Sequence, residues 1–229
     1  MVRRRSIVSI LLVTALGLSA QAGPITYSGE LTSGNGITGF PDNPWLKGNT
    51  TFSWQVTDHG TGLYTYTYQL AVPHRSKEIS HLTIEVSPTF TAANLLSVLA
   101  GTPDNGQPAT YPKGNSDPGM PDFMWGIKFE DGFGPNNYDW TVSFTSDRAP
   151  MWGDFYAKDG RAGPNKVAIW NAGFTASDLD PLAPVGNGSV GHHILVPNTA
   201  AYVVPAPNAV LLGCLGTGLV SGLRRRRAL

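Results

Sequence analysis

Residues 52 to 70 read FSWQVTDHGTGLYTYTYQL, and the fold class turns on this stretch. From Phe52 to Val56 large side chains alternate with small polar ones, and from Leu63 to Leu70 aromatic residues alternate with threonine. Between them, Asp58-His59-Gly60-Thr61-Gly62 is turn chemistry. A period of two belongs to an extended backbone with one covered face, because successive side chains point to opposite sides. The expectation is an antiparallel β-hairpin.

Outward from the hairpin the same signals repeat. Leu82 to Val86, Trp125 to Phe129, Trp140 to Phe144, Trp152 to Ala157, Val167 to Trp170 and His193 to Val196 are short apolar or alternating runs separated by Gly, Pro, Asn and Asp. One helix of two turns is expected over Ala92 to Leu99, with Thr91 as N-cap and Gly101 as its stop. With about eight strands and no βαβ rhythm or repeat period, the chain reads as all-β, an antiparallel sandwich, with the jelly roll as one topology. Gly101 to Pro121 holds five prolines and four glycines with few apolar side chains, and reads as a long exposed loop; Ser177 to Ser189 is similar.

Composition agrees. The chain has 229 residues, 27 of them Gly and 18 Pro, which implies many turns. Without its two unusual ends it leaves one domain of about 175 residues, a normal single-core size. All six Trp fall between those ends, so a substantial apolar core is available. Cys214 is the only cysteine and lies near the C-terminus, so the domain forms no disulfide of its own and has no thiol-based zinc or redox motif. The formal charge of zero conceals an uneven distribution: seven of the sixteen basic residues are Arg3, Arg4, Arg5 and Arg224 to Arg227. The middle keeps nine Lys and Arg against all sixteen Asp and Glu, a net of −7, which argues against nucleic acid as a partner.

The ends carry an address. Met1 to Ser6 holds three arginines, Ile7 to Leu18 is largely apolar, and Ala20-Gln21-Ala22 offers small residues to signal peptidase. Residues 1–22 therefore read as a signal peptide cut after Ala22. An uncleaved anchor is the other reading, but twelve apolar residues make a helix of roughly 18 Å against a hydrocarbon core of about 30 Å. The domain would occupy 23–197 and a linker 198–208. Within that linker Val204-Pro205-Ala206-Pro207 precedes an apolar stretch, 209–223, read as a transmembrane helix. Arg224, Arg225, Arg226 and Arg227 then open a basic tail, 224–229, that resists translocation and holds the C-terminus inside.

This order of proline motif, apolar helix and arginine cluster, over about the last 26 residues, resembles the PEP-CTERM sorting signal of bacterial proteins. The resemblance implies a membrane-bound sorting enzyme of the exosortase type that cuts near the Pro-x-Pro motif and discards the helix, after transient anchorage in the inner membrane. The family's usual Glu between the prolines is Ala206 here. The same hydropathy would also specify a permanent C-terminal anchor, whereas GPI signals usually end in the apolar run without arginines after it. The stretches His81 to Ser87 and Trp152 to Gly160 loosely resemble ectodomains of other PEP-CTERM proteins and imply no activity.

Candidate chemistry in the middle is sparse. Five histidines, His59, His74, His81, His192 and His193, show no metal-ligand spacing, and the last two would face opposite ways on a strand. Asp178, Asp180, Asp117 and Asp122 offer oxygen for calcium, but the D-x-D-x-D-G loop is absent. No G-x-S-x-G occurs, Ser80-His81 is only a neighbour pair, and Glu30, Glu78, Glu85 and Glu130 single out no glycosidase couple. No catalytic residue, metal ligand or cofactor is expected. The most distinctive stretch is Asp147 to Gly160, in which alternation would put Trp152, Asp154 and Tyr156 on one face. Those side chains would either form an aromatic platform for sugar rings or fill the sandwich. The sequence thus suggests an exported, non-enzymatic surface or matrix protein with a structural or adhesive role. The alternatives are a module binding exopolysaccharide and a secreted hydrolase.

Overall fold

A computed structural model describes residues 23–201 apart from 75, 115, 131–136, 160–165 and 177–179. The expected signal peptide with Ala20 and Ala22, the motif Val204 to Pro207, the apolar stretch 209–223 and Arg224 to Arg227 lie outside the described residues. Within them the strands in chain order are β1 (Ile25–Thr32), β2 (Ile37–Gly39), β3 (Thr51–Asp58), β4 (Tyr64–Ala71), β5 (Ile79–Glu85), β6 (Leu95–Ala100), β7 (Ala109–Tyr111), β8 (Met124–Glu130), β9 (Asp139–Ser146), β10 (Arg148–Gly153), β11 (Phe155–Asp159), β12 (Ala168–Asn171) and β13 (Ile194–Ala201).

The expected hairpin is β3–β4, with Phe52 opposite Leu70, Trp54 opposite Tyr68 and Val56 opposite Tyr66. It forms the centre of a five-stranded antiparallel sheet, β1-β3-β4-β9-β6. A six-stranded sheet, β2-β12-β11-β5-β8-β7, faces it. Alternation sends Phe52, Trp54, Val56, Tyr66, Tyr68, Val142 and Phe144 of the first sheet inward, against Leu82, Ile84, Ile127, Phe129, Phe155 and Ala157 of the second. The two layers meet in stacked rings: Phe52 lies 3.9 Å from Phe155 between centroids, with the planes 6° apart, and Phe129 lies 5.9 Å from Phe144. The protein is an all-β antiparallel sandwich, as the period of two indicates.

A two-stranded ribbon, β10–β13, completes the core. Ile194, Leu195 and Val196 are all fully buried, so both faces of β13 are covered. The Tyr66 hydroxyl donates to the Arg148 carbonyl at 2.7 Å and the Tyr68 hydroxyl to the Leu195 carbonyl at 3.0 Å, hooking the ribbon to the first sheet. Burial raises both phenol pKa values well above the ordinary range, which keeps the hydroxyls protonated as donors. β13 runs on to Ala201, opposite Arg148, so the sheet continues past residue 197 into the expected linker.

Two expectations are corrected. Ala92 to Leu99 is not a two-turn helix: a 3-10 turn, Ala92–Asn94, leads directly into β6. Asn94 Oδ1 accepts the Thr91 N–H at 2.9 Å, closing that turn early, and the following residues pair with the edge of β9. Two helical turns alone have little stability in water, so edge pairing prevails. Nor is Gly101 to Pro121 simply an exposed loop. It contains a 3-10 turn, Asp104–Gly106, and β7, then crosses the outer face of the six-stranded sheet. There Met120 joins Met124, Tyr156, Ala168 and Phe174 in a second apolar cluster. The Tyr156 hydroxyl donates to the Pro118 carbonyl at 2.8 Å, and the Lys158 ammonium donates to the Ser116 carbonyl.

Candidate functional site

The three residues of the proposed platform separate. β10 pairs with β13, whereas β11 pairs with β5 and β12, so the run from Trp152 to Ala157 is two strands in different sheets. Gly153 marks the change: a Cβ there would meet Val196 at 2.4 Å and Glu85 Oε2 at 2.7 Å. Trp152 packs in the main core at 1 % exposure, and Tyr156 is fully buried in the second cluster beneath residues 116–120. Neither ring is open to a sugar, which corrects the platform reading of Trp152, Asp154 and Tyr156. Alternation does not hold across this run because the chain leaves one sheet and enters another at Asp154, where a shared face no longer has meaning.

Asp154 instead anchors a buried polar junction. Its Oδ1 accepts the Asn171 amide at 2.6 Å and lies 2.9 Å from His193 Nδ1. Asn171 Oδ1 in turn accepts the Phe155 N–H at 3.0 Å, and Glu85 Oε2 accepts the Asp154 N–H at 2.8 Å. Four segments meet here: β5, the β10–β11 switch, the end of β12 and the residue entering β13. Burial works against an imidazolium at His193. The hydrogen bond and charge of Asp154, aided by Asp180 and Glu85, outweigh it and raise the His193 pKa above its ordinary value.

An Asp-oriented imidazole supplies two members of a hydrolytic triad, but a triad needs the far ring nitrogen to reach a hydroxyl and a substrate. His193 is 2 % exposed, and its Nε2 is enclosed without a protein partner. The geometry is that of a cross-link between strands. His192 stands apart, exposed in the preceding turn at φ 64°.

The remaining candidates do not converge. Glu30 is on the outer face of the five-stranded sheet and Glu85 and Glu130 on that of the six-stranded sheet, so no opposed carboxylate couple forms among them. Asp117 is buried near Lys158, with its pKa raised by burial, while Asp122 is exposed and pairs with Lys113 at 3.6 Å. Asp178 lies outside the described residues. Among the described residues, no three His, Cys, Asp or Glu side chains gather as a metal site. His81 is buried on the outer face of β5, and burial with the nearby Lys158 and Lys128 lowers its pKa to about 3.

The open chemistry is on the other side of the sandwich. The positions of β1, β3, β4 and β9 that alternate with the buried ones carry Ser, Thr, Gln and Glu, apart from the paired Ala71 and Asp139 at one end. Register aligns Ser28, Gln55, Thr67 and Ser143 in one row and Glu30, Ser53, Gln69 and Thr141 in the next. A groove of about 550 Å³ lies here, lined by Ser28, Gly29, Glu30, Ser53, Trp54, Gln55, Thr67, Gln69 and Gly188. The signal for it stood in the opening stretch: the threonines and glutamines between the aromatics are this face, but from sequence alone they read only as the solvated side of a hairpin. Comparison with protein-family models, curated proteins and solved structures finds no match for this chain.

Proposed function

We propose that the chain is an exported, non-enzymatic protein of a bacterial cell surface or extracellular matrix, with a structural or adhesive role. Signal peptidase removes residues 1–22, and an exosortase-like enzyme acts at Val204 to Pro207 after the apolar stretch 209–223 has held the precursor in the inner membrane. The observation that carries the reading is where the compact unit lies. Its described strands run from Ile25 to Ala201, between the expected first cut and the proline motif. What export would deliver is thus a complete sandwich, with its buried acid–base pair engaged in joining strands and a polar sheet face turned outward.

The test is intact mass and terminal-peptide analysis of the protein recovered from its host, comparing inner membrane with extracellular and surface material. The expected species starts at Gly23, ends between Val204 and Pro207 and lies outside the inner membrane. A membrane-retained species that still carries Arg224 to Arg227 would overturn the sorting step.

A further inference from the structure

We propose that the groove across β1, β3 and β4 is a binding site for a neutral, hydroxyl-rich polysaccharide. The proposal rests on the adhesive reading above and gives it a ligand class. The two rows Ser28, Gln55, Thr67 and Glu30, Ser53, Gln69 cross three adjacent strands, so a polar side chain recurs at every strand spacing, about 4.8 Å. Hydroxyls and primary amides both donate and accept, and a carboxylate accepts from two neighbouring donors. That is the complement of a sugar's hydroxyls, each of which also donates and accepts.

The same lining argues against other occupants. It holds no Lys or Arg, and its one charge is Glu30. Phosphate, nucleic acid and uronic-acid polymers would find no cation there and a repelling carboxylate, on a domain whose middle region carries a net of −7. Six polar side chains with no exposed ring or aliphatic patch among them suit neither an acyl chain nor an apolar peptide.

The groove is also bounded along one side. The segment at Asn187 and Gly188 closes along the free edge of β1: Asn187 Oδ1 accepts the Ser28 N–H at 2.9 Å and the Gly188 N–H donates to the Ser28 carbonyl at 2.8 Å. This satisfies the edge of β1 and raises a wall beside the groove. Gly29 makes the closure possible, since a Cβ there would meet the Trp54 ring at 2.2 Å and the Gly188 carbonyl at 2.7 Å. A site held in shape before binding loses less entropy on engaging a flexible glycan chain.

Affinity electrophoresis of the full-length chain in non-ionic detergent, through gels containing dextran, galactomannan or alginate, tests this. Retardation is expected in at least one of the two neutral gels and not in alginate. The double variant Gln55→Ala/Gln69→Ala should weaken that retardation about tenfold, as loss of two polar contacts implies, while Thr141→Ala on the same face outside the groove leaves it unchanged. Both glutamines are exposed, so folding is checked simply by an unchanged melting transition. No retardation in either neutral gel, retardation by alginate, or retardation that survives the double variant would overturn the site. The outcome separates from the delivery question: a chain sorted to the surface but not retarded loses only the groove, whereas one retarded in a neutral gel yet found in membrane with its arginines loses only the sorting step.

Discussion

At Asp154 the chemistry is a matter of single atoms, because one carboxylate oxygen serves both Asn171 and His193. A histidine whose pKa rises on folding adds stability that is complete below its unfolded value, about 6.5. That contribution is lost as pH climbs through the higher folded value. Urea denaturation should therefore show the His193 contribution falling on the alkaline side of about pH 6.5. Asp154→Asn should remove this fall and destabilise by about 3 kcal/mol at acid pH, where it leaves a buried imidazolium uncompensated. An unchanged slope in the variant would rule out the pair as its source. His81 acts with the opposite sign. Its folded pKa of about 3 lies below the unfolded value, so stability falls as pH drops from about 6.5 toward 3. The groups facing it are Lys158 on β11 and Lys128 and Glu130 on β8. His81→Gln should keep about 2 to 3 kcal/mol that the native chain loses near pH 4.5, read from the same titration. Neither histidine's role was legible in the sequence. Asp154 and His193 stand 39 residues apart, and only the order of strands in the fold brings them together.

Elements were legible where a strand keeps one face covered from end to end. β3 and β4 do so, and their period of two survives intact into the structure. β10 and β11 do not, because the covering partner changes at Asp154 while the apolar spacing runs on, and only Gly153 betrays the switch. β6 was misread for the converse reason. Leu95 to Ala100 is mostly exposed, so its leucines follow no strand alternation and looked helical. The stacked pair that joins the layers tests the sandwich directly: Phe155→Ala should cost about 3 to 5 kcal/mol in denaturant titration, since the cavity would open against Phe52 at the centre of the core. A loss below about 1 kcal/mol would mean that the two sheets do not meet through this ring. β6 also leaves Leu96, Val98 and Leu99 exposed on the terminal strand of its sheet, the kind of edge that pairs with other chains. Placing a charge there with Leu99→Lys should reduce concentration-dependent light scattering on heating while leaving the unfolding midpoint close to native.

For the molecule as a whole, charge would record the proposed processing independently of mass. The sequence carries sixteen basic and sixteen acidic residues and an isoelectric point near 7.0, yet seven of the basic residues stand outside the sandwich. The proposed removal of residues 1–22 would take Arg3, Arg4 and Arg5 and leave a net of −3; removal of the C-terminal segment as well would take Arg224 to Arg227 and leave −7. The proposed address at these ends rests on local chemistry, a charge beside an apolar run, that needs no tertiary structure to be read. The groove was not, because a polar residue on a strand has the same appearance whether it meets water or a ligand, and only the register that aligns Glu30, Ser53 and Gln69 distinguishes a row from a scatter. Isoelectric focusing of protein from host fractions follows from the arithmetic. The precursor should focus near neutrality, a leader-free membrane form should shift to the acid side, and the sorted form should be the most acidic, in extracellular or surface material. If surface material contains only the middle species, the tail remains attached and the anchor is permanent. If it contains the most acidic species, the arginines have been left behind at the inner membrane, and the domain that meets its surroundings is as acidic as its own residues make it.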